Sequence, residues 1–352
     1  MRRIANIQSM RGIAVILVVV FHMITIERRY GGINYLIPDL FNIGMFGVDL
    51  FFVISGFVMV TISRGKFNNI RLAFQFLYNR ISRIYPTYWI YSLIILIIFL
   101  FKPSMVNSSQ GNEVNIVSSF MLFPSDKLPL IMVGWTLIHE IYFYFIYFII
   151  LLFYRERSVT KAMLVWASII ILAGTLFDFM NPFLKLIFHP LTIEFISGCL
   201  LAVLFYNKKN ILLKNVFLII ISFTFLILLL YAHNFYKIYS GNIEPQNWNR
   251  VLIFGVPAFV FVFCSIFAEK NRFVFPIFLE KIGDASYSIY LSHILSINIC
   301  GKFWIYFSYD SLIDNIIMIP LTLLFTIMVG FFSYKYIEKP LLHKTKLKFA
   351  MT

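Results

Sequence analysis

The sequence alternates long apolar segments with short polar connections along its whole length. Apolar runs of roughly 17 to 22 residues are long enough to cross ~30 Å of hydrocarbon at about 1.5 Å of rise per residue. The pattern predicts ten membrane-spanning helices, near residues 9–27, 43–63, 85–101, 131–153, 162–178, 187–206, 214–232, 251–268, 284–301 and 314–334. We therefore expect an all-α integral membrane protein in which residues 1–352 form a single membrane domain.

The composition agrees with this pattern. Of 352 residues, 60% are hydrophobic and 13% are charged, and the mean hydropathy of +0.84 is far outside the range of soluble domains. The three cysteines lie inside apolar runs, a distribution that indicates neither a disulfide framework nor a zinc site. The first run follows "MRR", as in a signal peptide, but no small-x-small cleavage motif precedes "TIERRYGG". We therefore expect an uncleaved first helix.

The distribution of basic residues predicts the orientation. The formal net charge is +14, and 22 of the 30 Lys and Arg residues lie on one side of the predicted membrane, together with both termini. Because positive charge is retained on the cytoplasmic side, both termini are predicted to be cytoplasmic. The excess of positive charge thus follows from membrane topology, and we expect no nucleic-acid partner.

The first predicted helix, "SMRGIAVILVVVFHM", contains an arginine and a histidine. Arg11 and His22 are eleven residues apart, which on a helix is ~16 Å of rise and about 20° beyond three full turns, so they share one face. Arg11 is predicted at the cytoplasmic boundary, where a plain topology anchor is the alternative interpretation. His22 is predicted beyond the bilayer centre, where the alternative is a polar residue that is satisfied by its neighbours.

Four other predicted helices also carry ionisable residues within their apolar runs. Placing each such group in lipid costs at least ~2.5 kcal/mol of free energy. Structural packing explains one or two of these residues but explains the whole set poorly, so we predict a central polar cavity. Ser286, Tyr290 and His293 fall on one face of the ninth predicted helix. The ionisable residues of the other three helices are Asp49 in "FGVDLFFVISGF", His139 and Glu140 in "GWTLIHE", and His189 and Glu194 in "FHPLTIEF".

A histidine in such a cavity is suited to general-base catalysis. Burial disfavours its charged form and a neighbouring carboxylate favours it, and the balance can hold it near neutrality. Asp49 and Glu140 are both candidates for the carboxylate that orients His22, and the spacing does not decide between them.

The segment "RLAFQFLYNRISRIYPTYW" precedes the third predicted span. Arg80 and Arg83 are three residues apart and suited to binding a phosphate, with topology anchors as the alternative interpretation. Pro86 fits the first turn of a helix that begins near residue 85. The aromatic residues that flank it, Tyr85, Tyr88 and Trp89, are typical of an interfacial belt.

Together these motifs resemble the acyltransferase 3 family of bacterial membrane-bound O-acyltransferases. The resemblance covers nearly the whole chain in order, from the Arg11 to His22 pair through "FGVDLFFVISGF", "RISRIYPTYW", "GWTLIHE" and "DASYSIYLSH" to "YIEKP". It implies an inner-membrane enzyme with ten helices that moves an acyl group, usually acetyl, from cytoplasmic acyl-coenzyme A to a sugar hydroxyl of a surface glycan. A hydrolase-like domain found after the last helix in some members is not expected in the 18 residues after Tyr334.

The resemblance also implies roles for individual residues. By the resemblance, Arg11 and His22 are the essential pair and Arg80 and Arg83 serve the donor. Asp49 or Glu140 stays the candidate for the supporting carboxylate, as inferred above from the residues. Tyr88 and Arg11 are further donor-binding candidates, acetyl-CoA is the co-substrate, and no metal is expected. Acceptor-cavity candidates are Trp135, Glu194, Ser286, Ser288, Tyr290 and His293.

Two mechanisms and two other functions stay open at this stage. His22 can remove the proton of the acceptor hydroxyl during direct transfer, or Ser286, Ser288 or a histidine can carry the acyl group as a covalent intermediate. The acceptor is a surface polysaccharide such as O-antigen, capsule or exopolysaccharide, or its undecaprenyl-linked precursor. A transporter or flippase is the alternative function, although no repeat of the hydrophobic pattern supports it, and a glycan polymerase would be expected to have a long outer loop.

Overall fold

The computed structural model describes residues 4–31, 35–107, 111–207, 214–240, 248–306 and 312–350. These ranges contain helices, turns and loops but no strand. The helices are α1 Ala5–Tyr30, α2 Phe46–Ser63, α3 Ile70–Phe101, α4 Ile116–Met121, α5 Trp135–Phe153, α6 Val159–Leu176, α7 Pro182–Ile187, α8 Thr192–Asn207, α9 Asn215–Ser240, α10 Trp248–Arg250, α11 Val256–Lys270, α12 Ile277–Asp284, α13 Ser286–Trp304, α14 Leu312–Ser333 and α15 Lys339–Ala350. Single π-helical turns join α10 to α11 and α14 to α15.

The predicted fold class is confirmed. Within the described ranges, nine helical segments are long and apolar enough to cross a membrane, so the chain is an all-α, multi-pass membrane protein. The remaining predicted segment, the ninth, near residues 284–301, forms α13, a helix of 19 residues that contains four serines and a histidine.

The predicted start of the third span is wrong. Helix α3 begins at Ile70 and has 32 residues, so Pro86 lies inside the helix and not in its first turn. Asn69 caps the helix by accepting a hydrogen bond from the Leu72 N–H. The apolar run was predicted to begin only near residue 85 because polar residues interrupt it, yet the buried Ala73 and Phe76 continue the helical period below that point.

The segment predicted as one helix over 187–206 is broken. Helix α7 ends at Ile187 and α8 begins at Thr192, with Pro190 in the elbow between them. Proline cannot donate a backbone hydrogen bond and disfavours helical geometry in the residue before it. His189 therefore lies in this elbow and not on a helix.

The described chain divides into two compact units. Unit 1 consists of residues 1–54 and 204–335, and unit 2 consists of residues 55–203 and 336–352. The polar residues singled out in the sequence fall into both units, so each group is described within its own unit. The prediction of a cavity shared by all of them stays a prediction, as does the prediction of a single domain.

Helix α1 packs closely against its neighbours in unit 1. A Cβ atom on Gly283 of α12 would lie 1.8 Å from the Gln8 carbonyl oxygen, and one on Gly12 would lie 2.3 Å from the Leu279 carbonyl oxygen. Side chains at either position would force the two helices apart. The start of α2 approaches α1 in the same way, with Gly47 against the Ala14 carbonyl.

Both ends of α1 are tied to other parts of unit 1. At its first turn, Glu269 accepts hydrogen bonds from the Ala5 and Asn6 N–H groups, an arrangement that satisfies unpaired donors and complements the helix dipole. At its last turn, the buried Glu27 accepts from the Ile37 N–H at 3.0 Å and from the Asn315 side chain at 3.3 Å. The depth and rotation of α1 are therefore fixed from both ends.

Unit 2 is built around α5. Aromatic contacts join it to α3, where the rings of Phe74 and Phe148 are 5.0 Å apart, and to α8, where Phe143 stacks on Phe195 at 4.5 Å. The second half of α2 packs against α8, because Gly56 allows the Phe195 carbonyl to approach. These contacts surround the inner face of α5 with apolar side chains.

A connection between α3 and α5 is fastened to the middle of α3. Three side chains donate hydrogen bonds to the last carbonyls of α4: Tyr88 to Ser119, Tyr85 to Met121 and Trp89 to Phe120, at 2.7, 2.7 and 2.9 Å. The last carbonyls of a helix lack the usual intrahelical partner, and of these three only the Ser119 carbonyl also accepts from the capping Leu122 N–H, at 3.4 Å, among the described residues. The three aromatic residues therefore hold this connection in unit 2, besides any interfacial role.

Candidate acyl-transfer site

His22 lies in unit 1, on the same helix as Arg11. The ring is half-buried, and its Nδ1 is 2.9 Å from the Val18 carbonyl oxygen one turn earlier. A carbonyl oxygen can only accept, so Nδ1 carries the proton of the neutral ring. Nε2 of His22 then has a lone pair, and the residue is set up to accept a proton there.

His293 on α13 lies beside His22. The two ring centroids are 5.0 Å apart with the planes at 66°. His293 is fully buried, and its Nδ1 is 2.5 Å from the Tyr290 carbonyl oxygen. The two histidines were predicted separately as base and cavity residue, and the structure brings them together.

Asp49 forms a buried ion pair with Arg250. The Arg250 Nε and Nη2 atoms lie 3.1 and 2.9 Å from the two carboxylate oxygens, and the side chains are 1% and 0% exposed. Bidentate pairs of this kind combine charge with fixed geometry. The group that accepts the hydrogen bond of His22 Nδ1 is the Val18 carbonyl. The Asp49 carboxylate, one of the two predicted candidates for that role, binds Arg250 instead.

Arg11 lies one helical turn from Gln8 and donates to its side-chain oxygen at 3.0 Å. Gln8 in turn donates to Asp284 at the end of α12, also at 3.0 Å. Arg11 is half-buried. Its predicted roles, in catalysis and in binding the donor, stay predictions.

The other candidates on α13 are also buried. Ser286 and Ser288 are 1% and 0% exposed. The ring of Tyr290 lies 5.6 Å from that of His293 and 6.0 Å from that of Phe51. The Ser286, Tyr290 and His293 face predicted from spacing is therefore turned into the interior of unit 1.

In unit 2, Glu140 is joined to α2 and to a tyrosine of its own helix. Its Oε1 accepts from the Ser55 hydroxyl at 3.3 Å and closely from the Tyr144 hydroxyl. Arg80 of α3 interacts with both Tyr144 and Glu140, and Arg83 lies near enough to Arg80 to repel it. Two guanidinium groups and one carboxylate leave this cluster with a positive charge, which favours an anionic ligand.

Tyr88, a donor-binding candidate, is fully buried and uses its hydroxyl to hold the Ser119 carbonyl. Trp135, at the start of α5, lies 5.8 Å from His139, and His139 lies 4.3 Å from His189 of the elbow between α7 and α8. His189 accepts a hydrogen bond at Nδ1 from the Leu191 N–H, at 3.2 Å. Glu194, nearby in sequence, is 2% exposed.

Arg250 and Glu27 were missed as important residues by sequence reasoning. Both adjoin predicted loops, and Arg250 was counted as a loop charge. A signal for Arg250 was available, because a lone aspartate such as Asp49 in an apolar run needs a countercharge. Glu27 gave no comparable signal, since its partners are backbone N–H groups and an amide.

Within the described ranges, no three His, Cys, Asp or Glu side chains are grouped so that they could hold a metal ion. The family model described as an acyltransferase domain matches residues 4–335. The exopolysaccharide production protein ExoZ of Rhizobium meliloti (strain 1021) is 25% identical over 325 residues, which cover 88% of this chain and 92% of that protein. No solved structure matches the chain. The match to the family model over nearly the full length shows that the protein belongs to the acyltransferase 3 family and is a multi-pass membrane acyltransferase.

Proposed function

We propose that the protein transfers an acetyl group from acetyl-CoA to a sugar hydroxyl of a bacterial surface polysaccharide or of its lipid-linked precursor, with His22 as the general base. The observation that carries the role of His22 is its hydrogen bond to the Val18 carbonyl. That bond leaves Nε2 as the proton acceptor of a half-buried ring. Nε2 is the atom that a general base needs in order to take a hydroxyl proton.

The proposed reaction is direct transfer. The Nε2 atom of His22 takes the proton of the sugar hydroxyl while the hydroxyl oxygen attacks the thioester carbonyl carbon. The carbon–sulfur bond then breaks, and the leaving thiolate receives the proton from the imidazole. The products are the O-acetylated sugar and free coenzyme A, and His22 returns to its neutral state.

The donor is proposed to be bound through its phosphates. Within unit 2, Arg80 and Arg83 form a cluster with excess positive charge. Within unit 1, Arg11 is a separate candidate that lies ~16 Å of rise from His22 on α1. Guanidinium groups bind phosphate oxygens by paired hydrogen bonds. The pantetheine arm would extend along α1 from the level of Arg11 to that of His22.

The acceptor class is supported by the relative. ExoZ is named for exopolysaccharide production, so among surface polysaccharides we propose an exopolysaccharide as the acceptor, with O-antigen and capsule as the alternatives. We further propose that the protein lies in the bacterial inner membrane with both termini in the cytoplasm, because the basic residues are concentrated on that side of the predicted topology.

The test uses membranes from cells with and without the gene, supplied with acetyl-CoA labelled in the acetyl group. We expect label in the glycan fraction only when the protein is present. A longer labelled acyl-CoA tests the size of the acyl group. The proposal is overturned if no label from either donor reaches glycan while the protein is present in the membrane, and glycan transport under those conditions would favour the flippase alternative.

A further inference from the structure

One atom of the candidate site has a hydrogen-bonding capacity that the protein does not use. Nε2 of His293 is buried and has no hydrogen-bond partner among the described residues. Because Nδ1 of the same ring donates to the Tyr290 carbonyl, Nε2 is an acceptor in the neutral imidazole. Buried hydrogen-bond acceptors are almost always paired, so this atom indicates that a hydrogen-bond donor from outside the protein belongs here.

His22 is not the missing hydrogen-bond donor. Its Nδ1 also faces a carbonyl oxygen, so both neutral rings present acceptors at Nε2 and have no proton to share at that position. The ring centroids are nevertheless 5.0 Å apart. Two ring nitrogens that accept hydrogen bonds at this spacing suit a ligand with hydroxyl groups on two adjacent atoms.

Helix α14 supplies a second unpaired polar group at this level. Gly330 of α14 packs on Ile289 of α13, where a Cβ would lie 2.8 Å from the Ile289 Cα. Further along α13, the Cys300 side chain lies against Thr322 of α14, so α14 runs antiparallel to α13. Thr326, one turn before Gly330, therefore lies level with His293, one turn after Ile289. Thr326 is 0% exposed, and its hydroxyl has no partner in the described chain.

One aromatic ring contacts the same histidine, and a second ring lies beyond the first. Tyr290 lies 5.6 Å from His293, and Phe51 lies 6.0 Å from Tyr290. An apolar lining with a few convergent polar atoms is typical of small-molecule sites. Sugars combine hydroxyl groups on adjacent carbons with an apolar ring face, so a sugar matches this lining.

We propose that Nε2 of His293 accepts a hydrogen bond from a second hydroxyl of the acceptor sugar, adjacent to the hydroxyl whose proton His22 removes. The acceptor class is then a sugar with two neighbouring free hydroxyls. His293 contributes to acceptor binding and does not take part in proton transfer. This inference rests on the proposed function and assigns a substrate contact within it.

The test measures KM separately for donor and acceptor. The donor is labelled acetyl-CoA, and the acceptor is unacetylated glycan extracted from a strain that lacks the gene. We expect His293→Leu to raise the KM for glycan by roughly tenfold or more, because the hydroxyl loses its acceptor, with an unchanged KM for acetyl-CoA. His293→Gln keeps an amide oxygen that can accept, and it should recover most of the loss.

Two further variants complete the test. Thr326→Val removes the hydroxyl at nearly constant volume and should raise the KM for glycan by a few-fold. Ser296→Ala is the matched control on α13, because the Ser296 hydroxyl donates only to the Ser292 carbonyl of its own helix. Both KM values should be unchanged in this variant, and KM does not depend on how much of a variant folds.

Four outcomes distinguish a failure of this inference from a failure of the proposed function. Wild-type membranes that transfer no label overturn the proposed function itself. If the wild type is active and His293→Leu has a normal KM for glycan, the inference is wrong. If the leucine variant is inactive, a normal KM for glycan in Thr326→Val overturns the inference. Label that stays on the protein without glycan, and is lost on substitution of His293, also overturns it in favour of a covalent carrier.

Discussion

The two units each contain a pair of histidines, and the pairs differ in the direction of their hydrogen bonds. In unit 1, His22 and His293 both direct Nδ1 at a carbonyl oxygen. In unit 2, His189 accepts at Nδ1 from a backbone N–H, and its ring lies 4.3 Å from that of His139. The neutral His189 therefore carries its proton on Nε2, the opposite tautomer from His22.

The local backbone explains this difference. His22 and His293 lie inside helices, where the carbonyls three and four residues earlier have a lone pair to spare. His189 lies just before α8, where the first N–H groups of a helix have no internal partner. The comparison teaches that the position of a histidine along a helix decides which ring nitrogen is basic. Unit 1 thus offers acceptors at Nε2, and His189 in unit 2 offers a donor.

The largest expected effect is at His22. His22→Ala should lower acyl transfer by about 10²- to 10⁴-fold, because general-base catalysis is lost. The measurement is label transferred from acetyl-CoA to glycan, normalised to the amount of protein in the membrane by immunoblot. Substantial transfer by the variant would show that His22 is not the general base. The difference in tautomer between His22 and His189 would then have no role in the reaction.

The buried ion pair of unit 1 tests stability separately from chemistry. Asp49→Ala leaves Arg250 buried without its carboxylate, which should cost about 3–5 kcal/mol of folding free energy. The readout is thermal inactivation and monodisperse yield in detergent. The double variant Asp49→Leu with Arg250→Met should recover much of the loss. A stable single variant would show that the arginine does not depend on this partner.

The arginines of unit 2 are expected to affect donor binding more than stability. Arg80→Ala and Arg83→Ala should each raise the KM for acetyl-CoA by about tenfold, since a phosphate contact is lost. Lys161→Ala, a change of a basic residue near the start of α6, is the matched control. An unchanged donor KM in both arginine variants would leave them as topology anchors.

The smallest expected effect is at His189. His189→Leu removes the acceptor of the Leu191 N–H and should cost about 1 kcal/mol, seen as a modest drop in thermal stability. His189→Asn supplies an oxygen near the position of Nδ1 and should restore it. Transfer activity should change by only a few-fold in either variant. A loss as large as that of His22→Ala would mean that the unit 2 pair also takes part in the chemistry.

The sequence was sufficient to predict the kind of fold and most of its helices, because a run of apolar residues in lipid has few alternatives to a helix. It misplaced the start of α3 because Arg80 and Arg83 interrupt the apolar run, whereas the helix continues through them. It also missed the elbow at Pro190, since hydrophobicity alone does not register a break between two apolar helices.

The candidate site was predictable as individual residues but not as pairs. His22 and His293 were each identified from an unusual polar position in an apolar run, and their contact depends on how α1 and α13 pack. Asp49 and Arg250 are 201 residues apart in sequence, and no local pattern connects them. Spacing reports which residues share a helix face, whereas tertiary packing decides which faces meet.

The attachments at the two ends of α1 fix the spacing between Arg11 and His22 along the helix. Glu269 holds its first residues and Glu27 its last turn, so the helix cannot slide to absorb an inserted residue. One residue added between Arg11 and His22 would shift one relative to the other by about 1.5 Å and 100°. In the proposed reaction, the number of residues between Arg11 and His22 is therefore as important as the two side chains.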